Sequence, residues 1–300
     1  MMHASLSFLQ AIIMGVLQGV SELFPVSSLG HSVLIPALLG WHNLVNSQSA
    51  SQSFFLAFIV GLHVGTALGL IVYYRETWLT LLHGLRSQVA RVRDDGVATL
   101  WRVNDPTMDT HYRLLFTLAI ATIPVGLAGV LFDRTLRVLF AKPLAAAIFL
   151  TLNGVVLLLG ERWRRSQGRH ARHLALNEIQ PRSALAIGSA QILALFAGFS
   201  RSGTAMTAGL LGGLNHEDAA NFSFLLATPV ILLAGLYKLP DLLGPLGDGV
   251  RVQTLVGALF AMVAAYLSVR FLLRWFTTRT LVPFGVYSLV VGLACVVRFA

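Results

Sequence analysis

The sequence predicts an all-α, polytopic integral membrane protein: an inverted repeat of two re-entrant half-helix pairs plus six membrane-crossing helices. Three observations carry this. Charge is scarce, with charged residues 12% and hydrophobic residues 56% of the 300, whereas a soluble domain carries about 25% charge. The apolar residues fall in runs long enough to cross a bilayer. Two further runs are interrupted by polar breaks, each holding one isolated ion. Glu22 is the sole Asp, Glu, Lys or Arg between Met1 and Tyr74, and Arg201 is the sole one between Ser183 and His216.

A membrane-crossing helix needs about 20 mostly apolar residues. Residues 54–74, 114–132, 144–160, 222–239, 255–273 and 281–297 meet that need. The first interrupted region spans residues 5–39 and breaks at Glu22–Ser28, where Pro25 removes a backbone donor. The second spans 184–214 and breaks at Gly198–Gly203. Irregular backbone at membrane depth survives only when buried in protein or lining a wet cavity, so each region reads as two half-helices with the break at the tip.

The loops set the orientation. Arg75, Arg86, Arg91, Arg93, Arg102 and Arg113 fall between the first two spans; Arg162, Arg164, Arg165, Arg169, Arg172 and Arg182 follow the third. Two spans separate the groups, so they share a side, and arginine places that side in the cytoplasm. Asp94, Asp95, Asp105 and Asp109 dilute the first group, but acids contribute little to the rule. The net charge of +9 is therefore a topology signal and not a nucleic-acid surface. The N-terminus lacks a basic leader region, so no removed signal peptide is expected. The lone Cys295 allows neither an intrachain disulfide nor a cysteine-based zinc site.

The predicted path is one membrane domain, residues 1–300, of two oppositely oriented halves: 1–160 and 183–300, joined by a basic cytoplasmic loop, 161–182. At an offset of 173, Gly15 meets Gly188, Gln18 meets Gln191, Ser27 meets Ser200 and Gly30 meets Gly203. Inverted repeats with broken helices meeting near the midplane recur in transporters, so this architecture suits transport as readily as catalysis.

The second break, Gly198-Phe-Ser200-Arg201-Ser202-Gly203-Thr204, precedes an apolar run. A glycine-bounded turn feeding a helix offers free amides and a positive dipole end. Ser200, Ser202 and Thr204 add hydroxyls, and Arg201 adds a fork that grips two phosphate oxygens. In the first break, Gln18 and Glu22 stand four apart on one helical face, and Ser28 and His31 three apart if the helix restarts near Ser27, the expected N-cap. His31 can serve as nucleophile, acid or base, and Glu22 can orient it or bind a divalent cation. His63 and Thr66 could line the same cavity, although packing is the plainer reading; Asn153 and Asn221 read as helix contacts.

These motifs resemble the undecaprenyl pyrophosphate phosphatase (bacitracin-resistance) family over nearly the whole chain: Gln18-x-x-x-Glu22, Pro25-Val-Ser27-Ser28-x-Gly30-His31, Gly198-Phe-Ser200-Arg201-Ser202-Gly203 and Phe222-Ser223-Phe224-Leu225-Leu226-Ala227-x-Pro229. The resemblance implies a homodimeric enzyme of the bacterial inner membrane, its site open to the outer face, that hydrolyses C55-isoprenyl diphosphate to the monophosphate. That reaction recycles the carrier lipid of cell-wall synthesis. By position it implies Glu22, Ser28, His31 and Arg201 as catalytic residues, with Ser200 and Ser202 in the phosphate loop; the motifs themselves add Gln18, Ser27, Gly203 and Thr204 as expected substrate contacts, and Mg²⁺ or Ca²⁺ as the ion Glu22 could hold. Gln18 stands where many members have a glutamate, Ala197 replaces a proline, and Ala205 follows Thr204 in place of the reverse order. The rival readings are a polyprenyl-phosphate flippase without hydrolysis and a broader lipid-phosphate phosphatase. The second is disfavoured because the chain lacks that class's Lys-x₆-Arg-Pro opening.

Overall fold

The computed structural model describes residues 6–48, 54–101, 108–140, 142–166 and 174–300. Arg102, Asp105, Arg169 and Arg172, which enter the charge argument above, lie outside the described residues, as does Ser5 at the start of the first interrupted region. The described chain is all-α, with twelve α-helices and no strand. They are α1 Phe8–Ser21, α2 Ser28–Leu38, α3 His42–Gln48, α4 Phe54–Tyr73, α5 Arg75–Asp95, α6 Thr110–Phe140, α7 Pro143–Ser166, α8 Pro181–Ala190, α9 Arg201–Leu211, α10 His216–Leu243, α11 Arg251–Phe276 and α12 Val282–Phe299.

Five helices, α6, α7 and α10–α12, are long and apolar enough to cross a membrane, or six if the bent pair α4–α5 counts as one span. The protein is a multi-pass membrane protein. Each expected span falls on one of these helices, with residues 74 and 281 just outside the ends of α4 and α12. The region between the first two spans differs from expectation: it reads as a charged loop, yet residues 75–95 form α5, turned 78° from α4. Its leucines recur at helical spacing, a signal masked by the arginines between them. α7 also continues past residue 160 to Ser166, because its last turn carries Arg164 and Arg165, where the negative dipole end favours cations.

Both interrupted regions fold as broken helices. α1 starts on a capping box in which Ser7 and Gln10 exchange hydrogen bonds of 3.1 Å each. After the tip at residues 22–27, α2 starts on the Ser27 side chain. α8 passes into a 3₁₀ turn, Gln191–Leu195, before the second tip and α9. α1 packs along α11, and α8 along α6. Small residues make both approaches possible: a Cβ on Gly15 would overlap the Gly257 carbonyl, and one on Gly188 the Ala121 carbonyl.

The largest apolar core joins α4, α6 and α9–α12 and takes in Leu23 and Val26 from the first tip. Phe24 stacks on Phe271 of α11 with centroids 5.9 Å apart and meets Phe284 of α12 edge-on at 5.6 Å. At the arginine-rich end, buried Glu161 of α7 ties α10 and α12 together, 3.0 Å from His216 Nε2 and 3.1 Å from the Leu281 amide that donates to it.

Candidate functional site

The two tips meet, and the two isolated ions meet with them. Arg201 Nη2 donates to Glu22 Oε1 at 2.8 Å and Nε to the same oxygen at 3.3 Å. Glu22 is buried, its side chain 5% exposed, and Arg201 is largely enclosed, at 11%. An ion alone at this depth is costly; the fold meets that cost by bringing together charges 179 residues apart. The other carboxylate oxygen, Oε2, accepts from Gln18 Nε2 at 2.9 Å and from Ser28 Oγ. Gln18 therefore acts as a neutral donor that steadies the one carboxylate of its motif.

His31 is buried, but Glu22 is not what orients it. Its Nδ1 lies 2.7 Å from the Ser27 carbonyl and its Nε2 2.9 Å from the Tyr287 hydroxyl of α12. A carbonyl only accepts, so Nδ1 carries the hydrogen, and the Nε2 lone pair takes the tyrosine's O–H. The rings lie nearly parallel, 13° apart, with centroids at 5.8 Å. The histidine that faces Glu22 is His63 of α4, its Nε2 3.4 Å from Oε2 and its Nδ1 2.8 Å from the Ile59 carbonyl. The packing reading of His63 is thus corrected. Thr66 does pack, fully buried, with its hydroxyl on the Leu62 carbonyl at 3.3 Å.

Ser27 joins the tips. Its Oγ accepts from the Gly30 amide of α2 at 3.1 Å and from the Gly198 amide of the second tip at 3.2 Å. The residue sits at φ +71°, the only described non-glycine residue with positive φ. Strain of this kind persists only where several contacts over-determine it, and here the two amides and His31 do so. Gly198, at φ +120°, is equally constrained: a Cβ there would stand 2.5 Å from the Ala146 carbonyl.

In the second tip, Ser200 Oγ caps α9 by accepting from the Gly203 amide at 3.1 Å and lies 3.0 Å from Ser202 Oγ. Thr204 donates to the Arg201 carbonyl at 3.0 Å, so its hydroxyl and the Gly203 amide are committed to the cap. Asn153 of α7, read from sequence as a helix contact, bridges the tips: Nδ2 donates to the Pro25 carbonyl and Oδ1 accepts from the Ser200 amide, both at 3.0 Å. Asn221 is the expected helix contact, accepting from Tyr74, between α4 and α5, at 2.9 Å. Asn153, His63 and Tyr287 were the residues sequence left undervalued. A polar residue inside an apolar span was the one available signal, and for a half-exposed tyrosine there was none.

Two buried atoms here have no partner among the described residues: Arg201 Nη1 and Gln18 Oε1. A buried polar group without a partner needs an explanation, and a polar ligand between the tips supplies one. The residues do not fit a resident divalent ion. Glu22 is the only carboxylate at the tips, its oxygens already face Arg201, Gln18 and Ser28, and no three His, Cys, Asp or Glu side chains converge among the described residues.

The family model for bacitracin resistance protein BacA matches residues 11–294. The chain is 46% identical to an undecaprenyl-diphosphatase 2 of Frankia alni, the alignment covering 100% of this chain and 99% of that one. It is likewise 46% identical to an undecaprenyl-diphosphatase of Mycolicibacterium paratuberculosis, with coverage of 100% and 99%. With an undecaprenyl-diphosphatase 2 of Burkholderia orbicola it shares 43% identity over 95% of this chain and 94% of the other. With this likeness running from the first tip through the second to the last helix, the chain belongs to the bacitracin resistance protein BacA family.

Proposed function

We propose that this protein is an undecaprenyl diphosphate phosphatase, a membrane hydrolase that converts C55-isoprenyl diphosphate to the monophosphate and inorganic phosphate. The observation that carries the reading is the joined pair of tips: an arginine with one buried nitrogen that has no partner among the described residues, beside a serine whose hydroxyl donates to a carboxylate. The relatives' names support the same reaction and not the flippase reading.

In this proposal Arg201 and the first amides of α9 hold the diphosphate. The Gly203 and Thr204 amides already bond to Ser200, which leaves those of Arg201 and Ser202 for an anion. Positioned donors of this kind stabilise the charge that spreads over the transferring phosphoryl group. Ser28 Oγ attacks the terminal phosphorus as its proton passes to Glu22. The Ser28 O–P bond forms, the P–O bond to the bridging oxygen breaks, and the prenyl monophosphate leaves. Water then attacks the phosphoserine, giving its proton to Nε2 of His31, and Glu22 returns its proton to Ser28 as inorganic phosphate departs. Tyr287 must swing off Nε2 for that second step. Ser27, Gly203 and Thr204 support the tips.

The proposal also takes residues 1–160 and 183–300 as oppositely oriented repeats around this site. The matching work of Gly15 and Gly188, and of the caps Ser27 and Ser200, supports that division. The protein lies in the bacterial inner membrane with the arginine-rich side in the cytoplasm and the site opening outward, as a homodimer, as the resemblance implies. Phosphate release by the purified protein from prenyl diphosphates in detergent is the test. A carrier that never hydrolyses its lipid releases none, and that result would overturn the assignment.

A further inference from the structure

The site takes no residue from α5, the helix found where sequence suggested a loop. It leaves α4 after one residue, Tyr74, at 78°. A helix at that angle to a membrane-crossing one runs close to the membrane plane. Two contacts set its depth. It begins where α4 ends, and Gly84 packs so closely on the start of α6 that a Cβ would stand 2.7 Å from the Tyr112 amide. It therefore lies at the level where two spans meet the interface.

The three sides of α5 differ. Leu81, Gly84 and Gln88 are buried, and Gln88 Nε2 donates to the Thr99 carbonyl at 3.1 Å. At 100° per residue, one flank carries Leu79, Leu82, Leu85 and Val89, which are 59%, 54%, 37% and 50% exposed. Exposed Arg86 and Arg93 are interleaved with them. The other flank carries Glu76, Thr80, His83, Ser87, Arg91 and Asp94. Leucines thus share a side with Arg86 and Arg93, whereas Arg75, at the start of the helix, pairs with Glu76 of the other flank at 3.5 Å.

We propose that α5 is an interfacial helix that beds Leu79, Leu82, Leu85 and Val89 into one leaflet and binds the phosphates of anionic phospholipids through Arg86 and Arg93. An interfacial helix buries its apolar side at the boundary between headgroups and acyl chains. Arginines on that side reach up to the phosphates on their apolar stems. Asp94, on the other flank, keeps its charge off a negative surface that would repel it, and the charge of Glu76 is offset by Arg75. By the arginine bias of the loops the leaflet is the cytoplasmic one. The inference is independent of the reaction assigned to the tips.

The test uses the full chain in nanodiscs, with Cys295→Ser and one new cysteine, at 82 or at 80, carrying a fluorophore. Brominated lipid should quench the label at 82 and an aqueous quencher the label at 80. Quenching at 82 by brominated phosphatidylglycerol should exceed that by brominated phosphatidylcholine by about fivefold or more, taking the usual worth of one arginine at an anionic surface. The ratio should fall towards one in Arg86→Gln/Arg93→Gln and, with the arginines intact, in high salt. An aqueous quencher that reaches 82 as readily as 80 would overturn the bedding, as would a soluble protein partner protecting it. Equal quenching by the two lipids would overturn the anionic-lipid assignment.

Discussion

Replacing Arg201 by alanine tests the joined tips most directly, because stability and activity should respond differently. The substitution removes the 2.8 Å and 3.3 Å bonds to Glu22 and leaves a carboxylate that is 5% exposed without its full counter-charge. Breaking a buried pair in this way costs about 3–5 kcal/mol. Gln18 and Ser28 still donate to Glu22, which points to the lower end, about 3 kcal/mol. Adding Glu22→Gln removes the stranded charge, so the double variant should recover most of that loss, a clear departure from additivity. Activity should not recover. Loss of an arginine that stabilises a transferring phosphoryl group lowers turnover by about 10³–10⁵, and the double variant lacks the serine's base as well. Denaturant unfolding in a fixed detergent reads the first quantity and phosphate release from farnesyl diphosphate the second. Additive destabilisation, or near-wild-type release by the single variant, would refute the reasoning.

Three further outcomes follow from the geometry. Ser27→Ala should destabilise by about 2 kcal/mol, since it removes a helix cap and a tip-to-tip bond at φ +71°; Ser27→Gly should cost less, because glycine accepts that φ, and thermal unfolding of the pair checks the order. Tyr287→Phe keeps the ring stacked on His31 but deletes the 2.9 Å bond to Nε2; if the hydroxyl must leave Nε2 before water attacks, single-turnover release of phosphate should not slow by more than about threefold and unfolding should shift by about 1 kcal/mol. Chelation should leave the unfolding midpoint of the substrate-free protein unchanged, because a resident ion would stabilise the folded state by mass action and the tips offer one carboxylate already taken; a fall in the midpoint would show a protein-held ion.

Much of this protein is legible along the chain. Apolar runs with few charges predict spans because a bilayer admits little else, and a lone Glu22 and Arg201 mark the breaks because isolated ions at that depth need a reason. α5 escaped because a span test averages hydropathy, whereas its apolar residues occupy one flank. His63 and Tyr287 escaped because a polar side chain on an apolar helix is equally compatible with packing. Only the position of a neighbouring helix decides between the two.

The sequence by itself determined the membrane class, the apolar segments, both polar tips and the chemistry each could support, since these depend on local composition and on the cost of moving charge out of water. The tertiary structure alone decided the partnerships. It set Arg201 on Glu22, gave Glu22 to Ser28 and His63, and gave His31 to Tyr287. Those pairings bring together residues up to 256 positions apart. They depend on how closely glycine-lined helices approach, which is a property of surfaces meeting in space and has no counterpart in the order of residues along the chain.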